Sequence, residues 1–251
     1  MASRRGQMLD GVLLLDKPEG FSSNHALQRA KRTVDARKAG HTGTLDPFAT
    51  GLLVCCMGRA TKISGHMLNA DKGYLATLAF GEETDSGDLT GHVVQAAGPD
   101  FQGVTQEALE KVLESFRGDI EQIPPMYSAL KRDGKPLYEY ARQGIELERP
   151  PRQVTIHELT LIDFTGLEAV IMVQCSKGTY IRTLAQDIGR QLGCGAHLKA
   201  LRRTRVGPFS LDHAISLDAL QALADPKSAL IPLNALPAGL APVPTQQKDE
   251  L

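Results

Sequence analysis

The sequence predicts an α+β fold: a mixed, mostly antiparallel sheet flanked by helices. Three observations lead there. Strand-like and helix-like stretches are mixed without the regular βα repeat of a doubly wound sheet. The strand-like stretches are short and either apolar or alternating, and the helical ones carry recognisable start and stop signals. At 251 residues and 42% apolar content, the chain can bury the core of one large domain or two small ones.

The elements follow in order. "GVLLLDKPEGFSSNHALQRAKR" opens with an apolar strand, Val12 to Leu15, and turns at Lys17-Pro18-Glu19-Gly20. Ser22 or Ser23 then caps a helix with Ala26, Leu27, Ala30 and Val34 on one face. "GLLVCCMG" reads as a buried strand or a short helix, and "RATKISGHMLNADK" as a helix ending near Asn69. "GYLATLAFG" alternates as a strand, "EETDSGDLTG" forms an acidic hairpin loop and "VVQAA" returns from it. "TQEALEKVLESFRG" is an amphipathic helix with a threonine cap, Leu109, Val112, Leu113 and Phe116 inward, and Gly118 as its stop.

From Ile123 to Arg152 the chain is rich in proline, tyrosine and basic residues, with one short helix near Leu137 to Gln143, which suggests a projecting or clasping segment. Strands resume at "QVTIHELTLIDF" and "EAVIMVQCS", and "TYIRTLAQDIGRQLG" is a helix stopped by Gly193. The proline-rich stretch 235–251 reads as a flexible tail, so one domain is expected over 9–234.

No apolar stretch approaches the ~18 residues of a membrane span, and no apolar signal region precedes Leu9, so a cytoplasmic protein is expected. The closing Lys248-Asp249-Glu250-Leu251 spells a retention address that is read only inside the secretory lumen, and is taken as coincidence. The four cysteines form no C-x-x-C pair, and the spacing of Cys194 and His197 lacks a second ligand pair, so neither a disulfide framework nor a zinc site is indicated. Net charge is −1, but basic residues cluster at Arg29, Lys31, Arg32, Arg37 and Lys38, and again at Lys199, Arg202, Arg203 and Arg205. Either these are solvated helix faces or they grip one folded nucleic acid.

Chemistry concentrates in "GHTGTLDPFATG", Gly40 to Gly51. Asp46 precedes proline and is held extended, which also suits a helix cap with Pro47 at the first helical position. A plain cap has no use for Gly40, Gly43 and Gly51, so another molecule's close approach is the competing reading. Thr42-Gly43-Thr44-Leu45 resembles the phosphorylated loop of cation-pumping ATPases, but Gly40 stands where the nucleophilic aspartate would be, which excludes it.

Further along, "CSKGTYIRTLAQDIG" places Arg182 in a first helical turn if Thr179 is the cap. A cation there is disfavoured by about 0.3–1 kcal/mol, so Arg182 is either solvated or compensated by an anion. If that anion is Asp46, the pair keeps the carboxylate ionised and aimed. Tyr74 and Tyr180 are core aromatics or planes for a flipped base. His41 taken alone is a turn histidine, and Glu82, Glu83, Asp85 and Asp88 are a solvated hairpin whose spacing fits no cation loop.

Taken together, "GVLLLDKPEGFSSN", "KAGHTGTLDPFATGLL", "GRATK", "DKGY", "FRGDIEQIPPMYSALKRDGKPLYEYARQGIELER", "CSKGTYIRTLAQDIG" and "CGAHLKALRRTRVGPF" resemble the TruB-type tRNA pseudouridine synthases of bacteria, in that family's order, over about residues 9 to 212. The resemblance implies a pseudouridine synthase core whose RNA-clasping insertion is about 123–152. It also implies isomerisation of uridine at position 55 of the tRNA T-arm through base flipping, with no metal or organic cofactor. Asp46 would be the catalytic aspartate. Tyr74 would stack on the uracil where the C5 proton leaves, and Tyr180 and Arg182 would line the pocket with Arg182 pairing Asp46. His41 would support extruded T-loop nucleotides, Leu201 would pack on the target, and Lys17 would join the substrate-binding set. The partner would be the tRNA T-arm, with no protein partner and a monomeric enzyme. The C-terminal PUA-like domain of many members is expected to be absent. A T-arm folding helper is the alternative, and a guide-RNA-dependent rRNA modifier is a weaker one.

Overall fold

The computed structural model describes residues 6–240, in two compact units, 6–70 with 203–240 and 71–202. In the first unit, β1 (Gly11–Lys17) runs into α1 (Ser23–Thr33), and β2 (Ala39–His41) and β3 (Thr50–Met57) follow. β1 and β2 both pair antiparallel with β3. A 3₁₀ turn over Gly58–Ile63 leads to the short α2 (Ser64–Leu68).

Both faces of this small sheet are covered, which is why β1 and β3 read as unbroken apolar runs. Leu13, Leu15, Leu53 and Cys55 point to the side taken by Ala26, Leu27, Ala30 and Val34 of α1. Val12, Leu14, Leu52, Val54 and Cys56 face Ala60, Ile63, Met67, Val206 and Phe209. "GLLVCCMG" is therefore strand, not helix. Of the two serines that could cap α1, Ser22 does so, accepting from the His25 amide.

The second unit begins with β4 (Lys72–Phe80), then a hairpin of β5 (Glu82–Thr84) and β6 (Val93–Ala96). Next come α3 (Gln106–Ser115), capped by Thr105, and β7 (Gly118–Gln122). The 123–152 segment holds the two-residue strands β8 (Lys131–Arg132) and β9 (Lys135–Pro136) and the helix α4 (Leu137–Ala141). β10 (Arg152–Phe164), β11 (Glu168–Cys175), α5 (Ile181–Gln191) and β12 (Ala196–Val206) complete the unit, β12 ending in the first. Its sheet is antiparallel in the order β4-β11-β10-β7.

Back in the first unit, β13 (Phe209–Ser210) pairs with the end of β12, and β14 (Ile215–Ser216) lies parallel to β1 and leads to α6 (Leu217–Ala222). Leu236 is buried in the first unit's core and Leu240 packs against it, so packed chain extends past the start expected for the tail. Residues 241–251, including the retention-like tetrapeptide, lie outside the described residues. No helix among the described residues is long and apolar enough to cross a membrane.

Candidate functional site

The strand "AHLKALRRTRV" holds the first correction. Its basic residues lie on β12, not on a helix face, and Arg203 is 1% exposed. Arg203 Nε donates to the Leu52 carbonyl at 2.8 Å and Nη2 to the Gly43 carbonyl at 3.1 Å. One buried guanidinium therefore fixes both ends of the loop that carries Asp46, its planar fork matching two carbonyls as an ammonium could not.

Gly51 gives the reason for the close fit. With φ at +99°, a Cβ there would lie 2.3 Å from the Arg203 carbonyl oxygen. That glycine makes room for the chain's own backbone, not for another molecule. Gly43 has φ at +92° and no tight neighbour, so conformation alone demands it. Gly40 meets only Thr61 Cγ2 at 3.7 Å and is the one glycine of the three with no internal requirement.

Asp46 caps no helix. Its carbonyl accepts from the Ala49 amide at 3.1 Å, closing a single β-turn over Pro47 and Phe48 before β3 begins. Ser23 holds the residue before it on both sides, its hydroxyl donating to the Leu45 carbonyl at 3.0 Å and accepting from the Leu45 amide at 2.8 Å. Ser23→Ala would orphan both buried groups and is expected to cost about 1–3 kcal/mol, read as a lower denaturation midpoint at unchanged slope. An unchanged midpoint would show that Leu45 has other partners.

Lys17 has 0% exposure, and its ammonium is turned to the loop. Its ammonium donates to the carbonyls of Pro18 (2.8 Å), Phe21 (2.7 Å) and Pro47 (3.3 Å). Burial lowers its pKa to about 8, with Asp46 and Glu19 pulling it back up and Arg203 adding to the fall. Between about pH 8 and 10.5 the unfolded chain keeps this proton while the folded chain has released it, so Lys17's contribution to stability rises with pH across that window. Relative to Lys17→Met, wild type should therefore gain about 3 kcal/mol in unfolding free energy from pH 8 to 10.5. A pH-independent difference would mean the amine is not charged and buried as described.

His41 ends β2 half-buried, its Nδ1 enclosed without a partner. Burial, then the Arg203 guanidinium, lower its pKa, against a hydrogen bond with the Gly43 backbone. A neutral imidazole at neutral pH follows.

The remaining expected residues lie in the second unit. Tyr74 is buried in β4 opposite Val173, and Leu201 is buried in β12. Tyr180, not Thr179, is the N-cap of α5; the Thr179 hydroxyl donates to the Ser176 carbonyl instead. The side chain of buried Gln122 holds the Tyr180 backbone from both sides, accepting its amide at 3.0 Å and donating to its carbonyl at 3.2 Å.

Arg182 is 6% exposed, which removes the solvated reading. Nη1 donates to the Ser86 carbonyl at 3.0 Å, Nη2 donates to the Tyr127 carbonyl at 2.7 Å, and Nε lies 3.9 Å from Asp88 Oδ2. Asp88 is itself 4% exposed, its Oδ1 held by the hydroxyls of Ser86 and Thr90. The acidic hairpin is thus solvated only in part: Glu82 and Asp85 are exposed, but Glu83 is buried too, paired with Arg190 of α5. Through Tyr127 the base of the 123–152 segment is bonded to the same arginine. Among the described residues no group of three or more His, Cys, Asp or Glu could hold a metal.

Two family domains match this chain: the TruB family pseudouridylate synthase N-terminal domain over residues 31–181 and the tRNA pseudouridylate synthase B C-terminal domain over 182–243. The tRNA pseudouridine synthase B of Bordetella avium is 77% identical over 242 residues, covering 96% of this chain and 99% of that protein. That of Azoarcus sp. is 58% identical over 242 residues, covering 96% and 80%. Of solved structures, a Cbf5–Nop10–Gar1 complex gives a TM-score of 0.69 at 29% identity, covering 88% of this chain and 60% of that one. An H/ACA ribonucleoprotein bound to a substrate RNA containing 2′-deoxyuridine gives 0.66 at 27% identity, covering 88% and 59%. The chain thus spans about 60% of the length of those solved chains. Two domain matches that together run from residue 31 to 243, on a fold these structures share, mean that the chain belongs to the TruB family of pseudouridylate synthases.

Proposed function

We propose that the protein isomerises uridine to pseudouridine at position 55 in the T-arm of tRNA, with Asp46 as the catalytic aspartate. The observation that carries the assignment of Asp46 is the triple fixing of its turn by Arg203, Lys17 and Ser23, none of which a surface loop needs. The tRNA substrate rests on the relatives, which are named tRNA pseudouridine synthase B.

The chemistry is internally balanced. The N1–C1′ bond breaks, a C5–C1′ bond forms, the C5 proton is lost and N1 gains one, so the net change needs no oxidant or reductant. A T-loop uridine is first extruded from its stack, at a cost of a few kcal/mol that phosphate and shape contacts offset. Asp46 serves as the ionised carboxylate, with Arg182 as its cation. Tyr74 stacks on the uracil near the departing C5 proton. Tyr180 and Leu201 wall the pocket, His41 supports neighbouring extruded nucleotides, and Lys17 acts as a positioning residue. Segment 123–152 clasps the RNA. A cytoplasmic monomer is part of the same reading.

The experiment is release of tritium from a T-arm stem-loop labelled at C5 of uridine. One equivalent per stem-loop is expected, and Arg182→Ala should slow release more than it weakens RNA binding. Absence of release by wild type while binding persists would favour a T-arm folding helper instead.

A further inference from the structure

α1 carries an aromatic stack to which the reaction above assigns no role. The ring of Phe21, just before the helix, lies against His25 with centroids 4.5 Å apart and planes 21° from parallel, and the Arg29 guanidinium sits 5.6 Å from the Phe21 centroid. Phe21 is half-buried against the first unit's core, whereas His25 is exposed. A ring backed on one side by a fixed phenyl and open on the other is a platform of the size of a nucleobase.

Its surroundings suit a polyanion. α1 contains no acidic residue and bears Lys31 and Arg32 in its last turn. Its position ties it to the candidate catalytic turn: the Gly20 amide donates to the Pro47 carbonyl at 2.8 Å, Lys17 bridges Phe21 and Pro47, and Ser23 clasps Leu45. The stack and the Asp46 turn are therefore held as one piece, so a base seated on His25 would be registered against the nucleotide offered to Asp46.

We infer that His25, backed by Phe21, is a stacking platform for an unpaired base of the RNA substrate, with Arg29 and Arg32 on the adjoining phosphates. The inference rests on the RNA-modifying reading above. A base stacked on a protein ring is worth about 1–3 kcal/mol by alanine substitution, which is roughly 5- to 150-fold in affinity, and the rigid backing reduces the entropy lost on binding.

The test measures the dissociation constant of whole tRNA for wild type, His25→Ala, His25→Leu and His25→Tyr. Alanine and leucine should weaken binding roughly fivefold or more, and tyrosine should restore it, because only an aromatic ring offers a π-face. Equal affinity of the leucine and tyrosine variants would reduce His25 to packing and overturn the inference. Unchanged affinity of the alanine variant, with wild type binding and converting tRNA, would overturn it while leaving the RNA-modifying reading intact. Failure of wild type to bind tRNA would sink both.

Discussion

Asp46→Asn is expected to lower pseudouridine formation by about 10³-fold or more while tRNA binding survives. Asparagine is nearly isosteric, and the turn it occupies is closed by backbone, the Ala49 amide donating to the residue 46 carbonyl, so that closure survives the change. What disappears is the negative charge. One independent sign of that loss is available, because Asp46 raises the pKa of Lys17. In the asparagine variant the lysine should titrate below its wild-type value of about 8, and the stability gain with rising pH should begin correspondingly earlier. Equal turnover in both proteins would remove Asp46 from the chemistry.

The second large effect is at Arg203. Arg203→Ala withdraws a fully buried guanidinium from the Leu52 and Gly43 carbonyls and leaves a side-chain-sized void. Orphaned buried acceptors and a cavity together are expected to cost about 3 kcal/mol or more, enough to threaten folding. Arg203→Gln is the milder probe: it keeps a polar tip but loses the fork and the charge. Since that charge helps hold the His41 pKa down, the His41 resonance of the glutamine variant should titrate at higher pH than in wild type. An unmoved titration with full activity would show that Arg203 neither fixes nor polarises the loop.

Much of the fold was legible because local chemistry agreed with the final structure. Ser22 and Thr105 cap where a polar residue precedes an apolar stripe, and Gly193, at φ +77°, stops α5 as a left-handed residue does. β12 was not legible for a physical reason. Along it the buried residues are Ala196, Leu198, Leu201, Arg203 and Val206, so the period of two slips twice and one inward position is an arginine. In sequence, Arg203 cannot be told from half-buried Arg202 and exposed Arg205, and its partners, the carbonyls of Leu52, Gly43 and Thr44, lie more than a hundred residues away.

The acidic hairpin failed in the same way. Glu83 is buried because Arg190 reaches it from 107 residues later, and Asp88 because Arg182 does. The β8–β9 hairpin, by contrast, carried an unused signal: Asp133-Gly134 is a dipeptide suited to two successive positive φ angles, and they are +52° and +79°. At the site, the residues of the Asp46 loop could be named from the resemblance. That Lys17 and Ser23 hold this loop from α1's side could not, since neither serine nor lysine in "DKPEGFSS" announces where its hydrogen bonds end.

The most direct test of the account is to incubate unmodified whole tRNA with wild type and with Asp46→Asn, and to map pseudouridine by position. One new pseudouridine is expected, at position 55, made by wild type and absent with the asparagine variant. Modification at another position, or at position 55 by both proteins, would contradict it.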